Sequence, residues 1–130
     1  MNESESRITK KIYKIPIYYE SGETKLMVYI ADKLTDIKVY RDLVTGKLDD
    51  DDGTDAICIF DAPQDYNIRV MFERKYIEAG TIAHEAIHLK NQIFKNKGIT
   101  NDPDNDEPEA YLVQWFVNKI HDVLAKDKEE

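Results

Sequence analysis

The sequence is poor in cysteine and lacks a long apolar run. Its 130 residues contain one cysteine, Cys58, which excludes an internal disulfide and a CxxC metal-binding motif. Because Cys58 lies in the apolar run AICIF, we expect it to be a buried strand residue. The polar N-terminus MNESESRITKK has no apolar signal-peptide core, and no apolar run approaches the ~20 residues that span a bilayer. These absences predict a soluble cytoplasmic protein that does not enter a membrane.

Positive charge is also scarce. Lys and Arg number 18 against 26 Asp and Glu, so the formal net charge is −8. A nucleic-acid-binding surface needs basic side chains over the phosphates, and an anionic membrane surface repels an acidic chain. The charge therefore disfavours both and favours neutral or cationic partners. Hydrophobic residues make up 42% of the chain, which is enough for the core of one domain.

Strand-type residues in two places predict two β-hairpins. KIYKIPIYYE (11–20) and KLMVYIA (25–31) flank the turn ESGETK and form the first hairpin. AICIFDA (56–62) and YNIRVMFER (66–74) flank the turn-forming PQD and form the second.

The other segments of the N-terminal half carry weaker signals. Residues 1–10 predict a flexible polar tail. Residues 32–46 predict a short helix or an irregular connection. KLDDDDGTDA (47–56) resembles a calcium-binding loop only superficially, because alignment on its glycine places apolar residues at ligand positions. We predict a solvated acidic loop there.

Helical periodicity predicts two helices in the C-terminal half. The first covers residues 77–98, with Gly98 as a suitable C-terminal cap, and the second covers residues 107–126, with Pro108 in its first turn. Strands followed by helices predict an α+β fold, with both helices on one side of a sheet. We expect a single domain over residues 11–126.

Two of the three histidines lie four residues apart in TIAHEAIHLK (81–90). On a helix, His84 and His88 are separated by about 40° of arc and about 6 Å along the axis, so both can bind one metal ion. Glu85 flanks that position and is a candidate general base acting on a metal-bound water. HEAIH matches the HExxH pattern, whose mechanism is metal-assisted hydrolysis, and zinc is a metal that imidazole binds readily.

The apolar residues of this helix lie on two sides. A stripe opposite the histidines, which we expect to face the sheet, consists of Ile82, Ala86, Leu89 and Ile93. A second apolar patch beside the histidines consists of Ala83, Ile87 and Phe94. A helix that is apolar on two sides is packed on two sides, so we expect the histidines to line a cleft.

Two histidines and a water leave a catalytic zinc ion one protein ligand short. The remaining histidine, His121, lies near the end of the last helix, where we expect it to be exposed. A carboxylate is the natural alternative, and NDPDNDEPEAYLVQWF (101–116) offers Asp102, Asp104, Asp106, Glu107 and Glu109. The last two begin the helix, where a carboxylate is favoured by the helix dipole.

Helical periodicity slightly prefers Glu109 over Glu107. The predicted apolar stripe of the last helix consists of Ala110, Val113, Val117, Ile120 and Leu124. It is centred about 100° from Glu107 and about 60° from Glu109. We expect the aromatic residues of this segment, Tyr111, Trp115 and Phe116, to be packed.

GTIAHEAIHL followed by NDEPEAYLVQW resembles the small phage-type and minimal gluzincin zinc metallopeptidases. In these proteins HExxH lies on one helix, and a Glu-x-x-Ala-Tyr-Leu run on the next helix supplies the third ligand. The resemblance implies a small zincin-like domain in which zinc is bound by His84, His88 and Glu107. It also implies that Glu85 is the general base and that Ala110 allows a close approach of the two helices.

The function implied is zinc-dependent hydrolysis of peptide bonds in a peptide or protein substrate. We expect YNIRVMFER (66–74) to be a sheet edge that pairs with an extended peptide, and the acidic residues 102–106 to favour cationic substrates. One alternative is a zinc-binding interaction module of the same fold with little activity. Another is an acidic adaptor in which HExxH is coincidental.

Overall fold

The computed structural model describes residues 7–16, 24–44, 56–60 and 67–129. In chain order they form β1 (Thr9–Lys14), β2 (Lys25–Ala31), α1 (Lys38–Val44), β3 (Ala56–Ile59), β4 (Ile68–Glu73), α2 (Ala79–Lys97) and α3 (Glu107–Lys128). The predicted turns ESGETK and PQD and the predicted acidic loop 47–56 lie wholly or largely outside the described residues. Among the described helices, none is long and apolar enough to cross a membrane.

The strands form one mixed sheet in the order β1-β2-β4-β3. β1 pairs antiparallel with β2, and β3 pairs antiparallel with β4, so both predicted hairpin pairings are confirmed. β2 and β4 are parallel neighbours, and the chain between them is the long crossover that a parallel pair requires. β4 therefore has a neighbour on each side, and the prediction that YNIRVMFER (66–74) is a sheet edge is wrong.

Both faces of β2 and β4 are covered, which explains why these strands are apolar almost without interruption. Val28 and Val70 belong to the larger core, which includes the buried apolar residues of α2 and α3. Met27 and Met71 belong to a second cluster on the opposite face, together with Tyr40 of α1. The α+β class is confirmed. The two long helices share one face as predicted, while the short α1 covers the other.

α2 packs on the sheet through the stripe that periodicity predicts. Its four members, Ile82, Ala86, Leu89 and Ile93, are each at most 3% exposed. Burial of one Leu or Ile side chain contributes about 1.5–3 kcal/mol, so this stripe fixes the rotation of the helix. The helix ends where Gly98 has a φ of 69°, in the left-handed region that favours glycine.

The buried face of α3 differs from the predicted one. The residues that it buries are Leu112, Phe116, Ile120, Val123 and Asp127. This face is rotated by about 80° from the predicted stripe, of which Ile120 alone is shared. The predicted stripe consisted of aliphatic residues and left out the aromatic ones, although a buried Phe contributes more apolar area than a Val. Phe116 is 0% exposed, which confirms its predicted place in the core, and Trp115 packs partly buried against the core.

A buried carboxylate ties the end of α3 to the start of the described chain. Asp127 is 2% exposed, and it accepts hydrogen bonds from Thr9 at 2.6 Å, from Arg74 at 2.8 Å and from Arg7 at 3.1 Å. Burial alone would raise the pKa of Asp127, but hydrogen bonds from Arg74 and Thr9 and the arginine charges hold this pKa below its usual value. Arg7 and Thr9, which lie within the polar segment 1–10, thus take part in the fold.

Candidate metal centre

His84 and His88 lie on the same face of α2, one turn apart. Their Nε2 atoms are 3.2 Å apart, and their ring centroids are 4.9 Å apart at an interplanar angle of 70°. A separation of 3.2 Å allows one ring to donate an N–H hydrogen bond to the other, and it also allows both nitrogens to bind one ion. The two rings are therefore within contact distance, as residues four apart on one face of a helix should be.

The separation of the two nitrogens fits the requirements of zinc. A tetrahedral zinc ion binds imidazole nitrogen at about 2.0–2.1 Å, which places two such nitrogens about 3.3 Å apart. The Nε2 atoms of His84 and His88 are within about 0.1 Å of that separation. The α-helix alone produces this arrangement, because a spacing of four residues returns the side chain to nearly the same direction.

The histidine face of α2 is open to solvent. The side chain of His84 is 69% exposed, and His88 is also exposed. Ile87 is 43% exposed, whereas Phe94, on the same side of the helix but nearer its end, is 5% exposed. The second apolar patch is thus covered only toward the C-terminus of α2. The expectation that the histidines line a cleft is wrong for the described part of the chain.

Glu85 differs from the histidines because it lies beneath the helix, against the sheet. It is 6% exposed, and its Oε1 accepts a hydrogen bond from the thiol of Cys58 at 3.1 Å. Its Oε2 lies 3.9 Å from Nε2 of His84. One carboxylate oxygen is therefore bound to β3, and the other is directed toward the histidine pair. A carboxylate in this place can accept a proton from a water at that point.

Cys58 lies on β3, with its side chain in the layer between the sheet and α2. It is half-buried and packs against the larger core, as expected of a strand residue in AICIF. Burial raises the pKa of the Cys58 thiol well above its usual value, and the charge of Glu85 and the hydrogen bond to it act in the same direction. The sulfur therefore retains its proton at neutral pH and acts as a hydrogen-bond donor.

The two candidate carboxylates at the start of α3 have different environments. Glu109 lies in the layer between α2 and α3 and forms an ion pair with Lys90. The Lys90 side chain is 3% exposed, against 30% for Glu109, and it also lies 3.3 Å from the side-chain oxygen of Asn101. Glu109 thus neutralises a buried ammonium group. Lys90 is about 140° around α2 from the midpoint of the histidines, so this pair lies on a different face of the helix.

Glu107 is the first residue of α3 and is exposed. It lies about 160° around the helix from Glu109, on the side that faces away from the core. In the part of the chain that the structure describes, no three His, Cys, Asp or Glu side chains are grouped so as to hold a metal ion. The structure therefore brings His84, His88 and Glu85 together, and it does not bring Glu107 to them.

Three other residues named from the sequence have clear positions. His121 is exposed, as predicted. Tyr111 is 58% exposed, so the prediction that it is packed is wrong. Ala110 is also exposed, so its side chain is not covered by the neighbouring helix. Both differences follow from the rotation of α3 that buries its aromatic face.

Sequence reasoning missed the two contacts that anchor this region. The sequence contains a signal for the Lys90–Glu109 pair. Lys90 lies on the apolar face of α2, within the arc between Ala86 and Phe94, where a charged side chain requires a partner. The sequence contains no signal for the Cys58–Glu85 contact, because that contact depends on how β3 lies against α2. Comparison of the chain with protein-family models, with curated proteins and with solved structures gives no match.

Proposed function

We propose that this protein is a zinc-dependent metallopeptidase in which His84 and His88 bind the metal and Glu85 is the general base. The observation that carries the proposal is the geometry of HEAIH. The two Nε2 atoms are 3.2 Å apart, and a carboxylate oxygen of Glu85 lies 3.9 Å from one of them. Two imidazole nitrogens beside a carboxylate suit zinc and hydrolytic chemistry.

The chemistry divides between the metal and the chain. A zinc ion held by His84 and His88 would supply Lewis-acid polarisation of a substrate carbonyl and would lower the pKa of water in the site. Glu85 accepts a proton from the attacking water and later donates it to the leaving amine. His84 and His88 are exposed, so a substrate as large as a protein segment has access to them.

Glu107 is the proposed third ligand, because Glu109 already forms an ion pair with Lys90. If Glu109 turned to a metal ion, the buried Lys90 would lose its anionic partner. Breaking a buried ion pair costs about 3–5 kcal/mol, and the 30% exposure of Glu109 reduces this cost to about 2–3 kcal/mol. Glu107 is exposed and has no such ion pair within the described residues, so its carboxylate is available to a metal ion once the start of α3 moves toward His84 and His88.

The substrate class proposed is an extended peptide that pairs with β3. In the sheet of described strands, β3 has a partner on one side, β4, and it contacts α2 through Cys58 and Glu85. An extended peptide can add to such an edge through main-chain hydrogen bonds. The exposed acidic residues of the 102–106 loop favour a cationic peptide.

A zinc-binding interaction module of the same fold is the second candidate. The openness of the histidine face favours it, because hydrolytic sites commonly exclude bulk water. Activity that depends on Glu85 separates the two candidates. An acidic adaptor with a coincidental HExxH remains as a third alternative, and zinc binding separates it from both.

The first experiment is zinc analysis of protein purified without an affinity tag. We expect about one zinc ion per chain, and we expect His84→Ala and His88→Ala to abolish it. His121→Ala is the matched control, because it removes an exposed histidine from α3. A wild-type protein that contains no zinc and takes up none on titration would overturn the metal proposal.

The second experiment tests catalysis with Glu85→Gln, an amide of the same size that cannot accept the proton. A mixture of proteome-derived peptides is incubated with each protein, and the products are identified by mass spectrometry. We expect the wild type to cleave peptides. We expect Glu85→Gln to retain zinc but to cleave them ~10²–10⁴-fold more slowly. Equal cleavage by both proteins would refute the mechanism, and a zinc-loaded wild type that cuts nothing would favour the interaction module.

A further inference from the structure

The contact between Cys58 and Glu85 is not part of the HExxH pattern, and it determines how the glutamate is presented. We propose that Cys58 is a positioning residue, whose thiol holds the Glu85 carboxylate in the orientation that general-base catalysis beside His84 requires. This inference rests on the proposed function, because it gives Cys58 a part in that reaction.

The first step of the argument is the direction of the hydrogen bond. Sγ of Cys58 lies 3.1 Å from Oε1 of Glu85 and 3.6 Å from the main-chain oxygen of the same residue. A thiol carries one proton, and a carboxylate is a stronger acceptor than a carbonyl group. Cys58 therefore donates to Oε1, the nearer atom.

The second step is what this bond does to the rest of the carboxylate. Glu85 is 6% exposed, so few water molecules are available to orient it. With Oε1 bound to the strand, rotation about the last side-chain bond is restricted, and Oε2 remains 3.9 Å from Nε2 of His84. The thiol thus bonds Oε1 and leaves Oε2, the oxygen that faces the histidines, free to accept a proton.

The third step is the rigidity of the platform. Cys58 pairs with Val70 in the antiparallel register of β3 and β4, and β4 is an interior strand. Its neighbours Ile57 and Ile59 belong to the cluster on the opposite face. The sulfur is therefore held by the sheet, while the carboxylate that it orients belongs to a helix.

The expected effect of removing the thiol follows from these contacts. Displacement of a catalytic group by about 1 Å can cost ~10²-fold in rate, but a thiol is a weak donor. We expect Cys58→Ala to lower kcat by about 10-fold, which is less than the loss in Glu85→Gln. KM should change little, because the proposed pairing of the substrate with β3 uses main-chain groups, which Cys58→Ala keeps. Cys58→Ser keeps a donor and should recover most of the rate.

An infrared measurement tests the hydrogen bond without any activity. The chain has one cysteine, so its S–H stretching band belongs to Cys58 alone. In metal-free wild type we expect a band at lower frequency than that of a free thiol. In Glu85→Gln, where the acceptor is neutral, the band should move toward the free position. A band at the same frequency in both proteins would overturn the proposal.

The kinetic measurement uses the peptide that the wild type cleaves fastest in the mixture. Met27→Leu is the control, since it alters a side chain on the sheet face away from α2, on the interior strand β2, and should leave kcat unchanged. A 10-fold loss in Cys58→Ala with rescue by Cys58→Ser supports the positioning role. Equal kcat for wild type and Cys58→Ala, with Glu85→Gln inactive, overturns this role and leaves the proposed function intact. A shifted S–H band in a protein that cleaves nothing establishes the contact but overturns the proposed function, and the positioning role with it.

Discussion

Glu107 and Glu109 are two residues apart, yet we expect their substitution by glutamine to have opposite consequences. Glu109→Gln should lower stability and spare zinc binding, because Glu109 neutralises the buried Lys90. Lys90 keeps Asn91 at 2.5 Å and Asn101 at 3.3 Å as neutral partners, so we expect a loss of about 2–3 kcal/mol, below the 3–5 kcal/mol for a fully buried pair. For a domain of this size, that loss lowers Tm by about 6–12 °C.

Glu107→Gln should do the reverse. Glu107 is exposed at the start of α3, and exposed substitutions usually change stability by no more than about 0.5 kcal/mol. As a metal ligand, however, Glu107 should contribute more than the 10–100-fold in affinity that outer contacts supply, so we expect zinc binding to weaken by over ~100-fold. Tm is measured in a chelator, because bound zinc would itself stabilise the fold, and zinc affinity is measured by competition with a chelating dye.

A double-mutant cycle sharpens the test. Lys90→Met removes the ammonium group, so Glu109→Gln in that background should cost much less than in the wild type, with a coupling of about 1–3 kcal/mol. Additive effects would show that the two side chains do not interact. If Glu109→Gln weakens zinc binding more than Glu107→Gln does, the ligand role passes to Glu109 and the reasoning from Lys90 is refuted.

Further predictions concern the ends of α2 and α3. Asp127→Asn should destabilise the protein by about 2–4 kcal/mol near pH 7, because it removes a buried carboxylate that accepts several hydrogen bonds. The folded-state pKa of Asp127 is lowered, so its contribution is complete above the unfolded pKa and is lost as pH falls. The difference between the urea unfolding free energies of the two proteins should therefore shrink below about pH 4, and a difference that grows there would contradict this assignment. Gly98→Ala should cost about 1 kcal/mol in thermal unfolding through its φ of 69° alone, since an added Cβ meets no atom within 4 Å. Gly80→Ala, which is equally unobstructed but helical, should stabilise by about 0.5 kcal/mol, and a similar loss at both positions would rule out backbone strain as the cause.

Features that depend on neighbouring residues were predictable from the sequence. The stripe of α2 and the cap at Gly98 repeat a local pattern, and both hairpin pairings join strands that are close in the chain. The closeness of the His84 and His88 rings was predictable for the same reason, because both rings belong to one helix.

Features that depend on the packing of distant elements were not predictable in the same way. The interior position of β4 follows from the crossover that brings it beside β2, and strand-type residues alone do not reveal this order. The rotation of α3 follows from the size of Phe116, which a count of aliphatic residues ignores. The burial of Lys90 against Glu109 also depends on the packing of distant elements, because it requires α3 to lie beside the C-terminal half of α2.

The register of the sheet connects the fold to the chemistry of the site. Side chains of β3 alternate between two layers, with Cys58 toward α2 and Ile57 and Ile59 toward the other face. A slip of one residue in the pairing with β4 would exchange these faces and place an isoleucine against Glu85. The buried carboxylate would then lose its donor, at a cost of about 1–3 kcal/mol or more because it is charged. The same alternation that packs the core on both faces therefore selects the one residue of AICIF whose side chain can donate a hydrogen bond. The orientation of Glu85 is accordingly a property of the β3–β4 pairing as much as of the HEAIH helix.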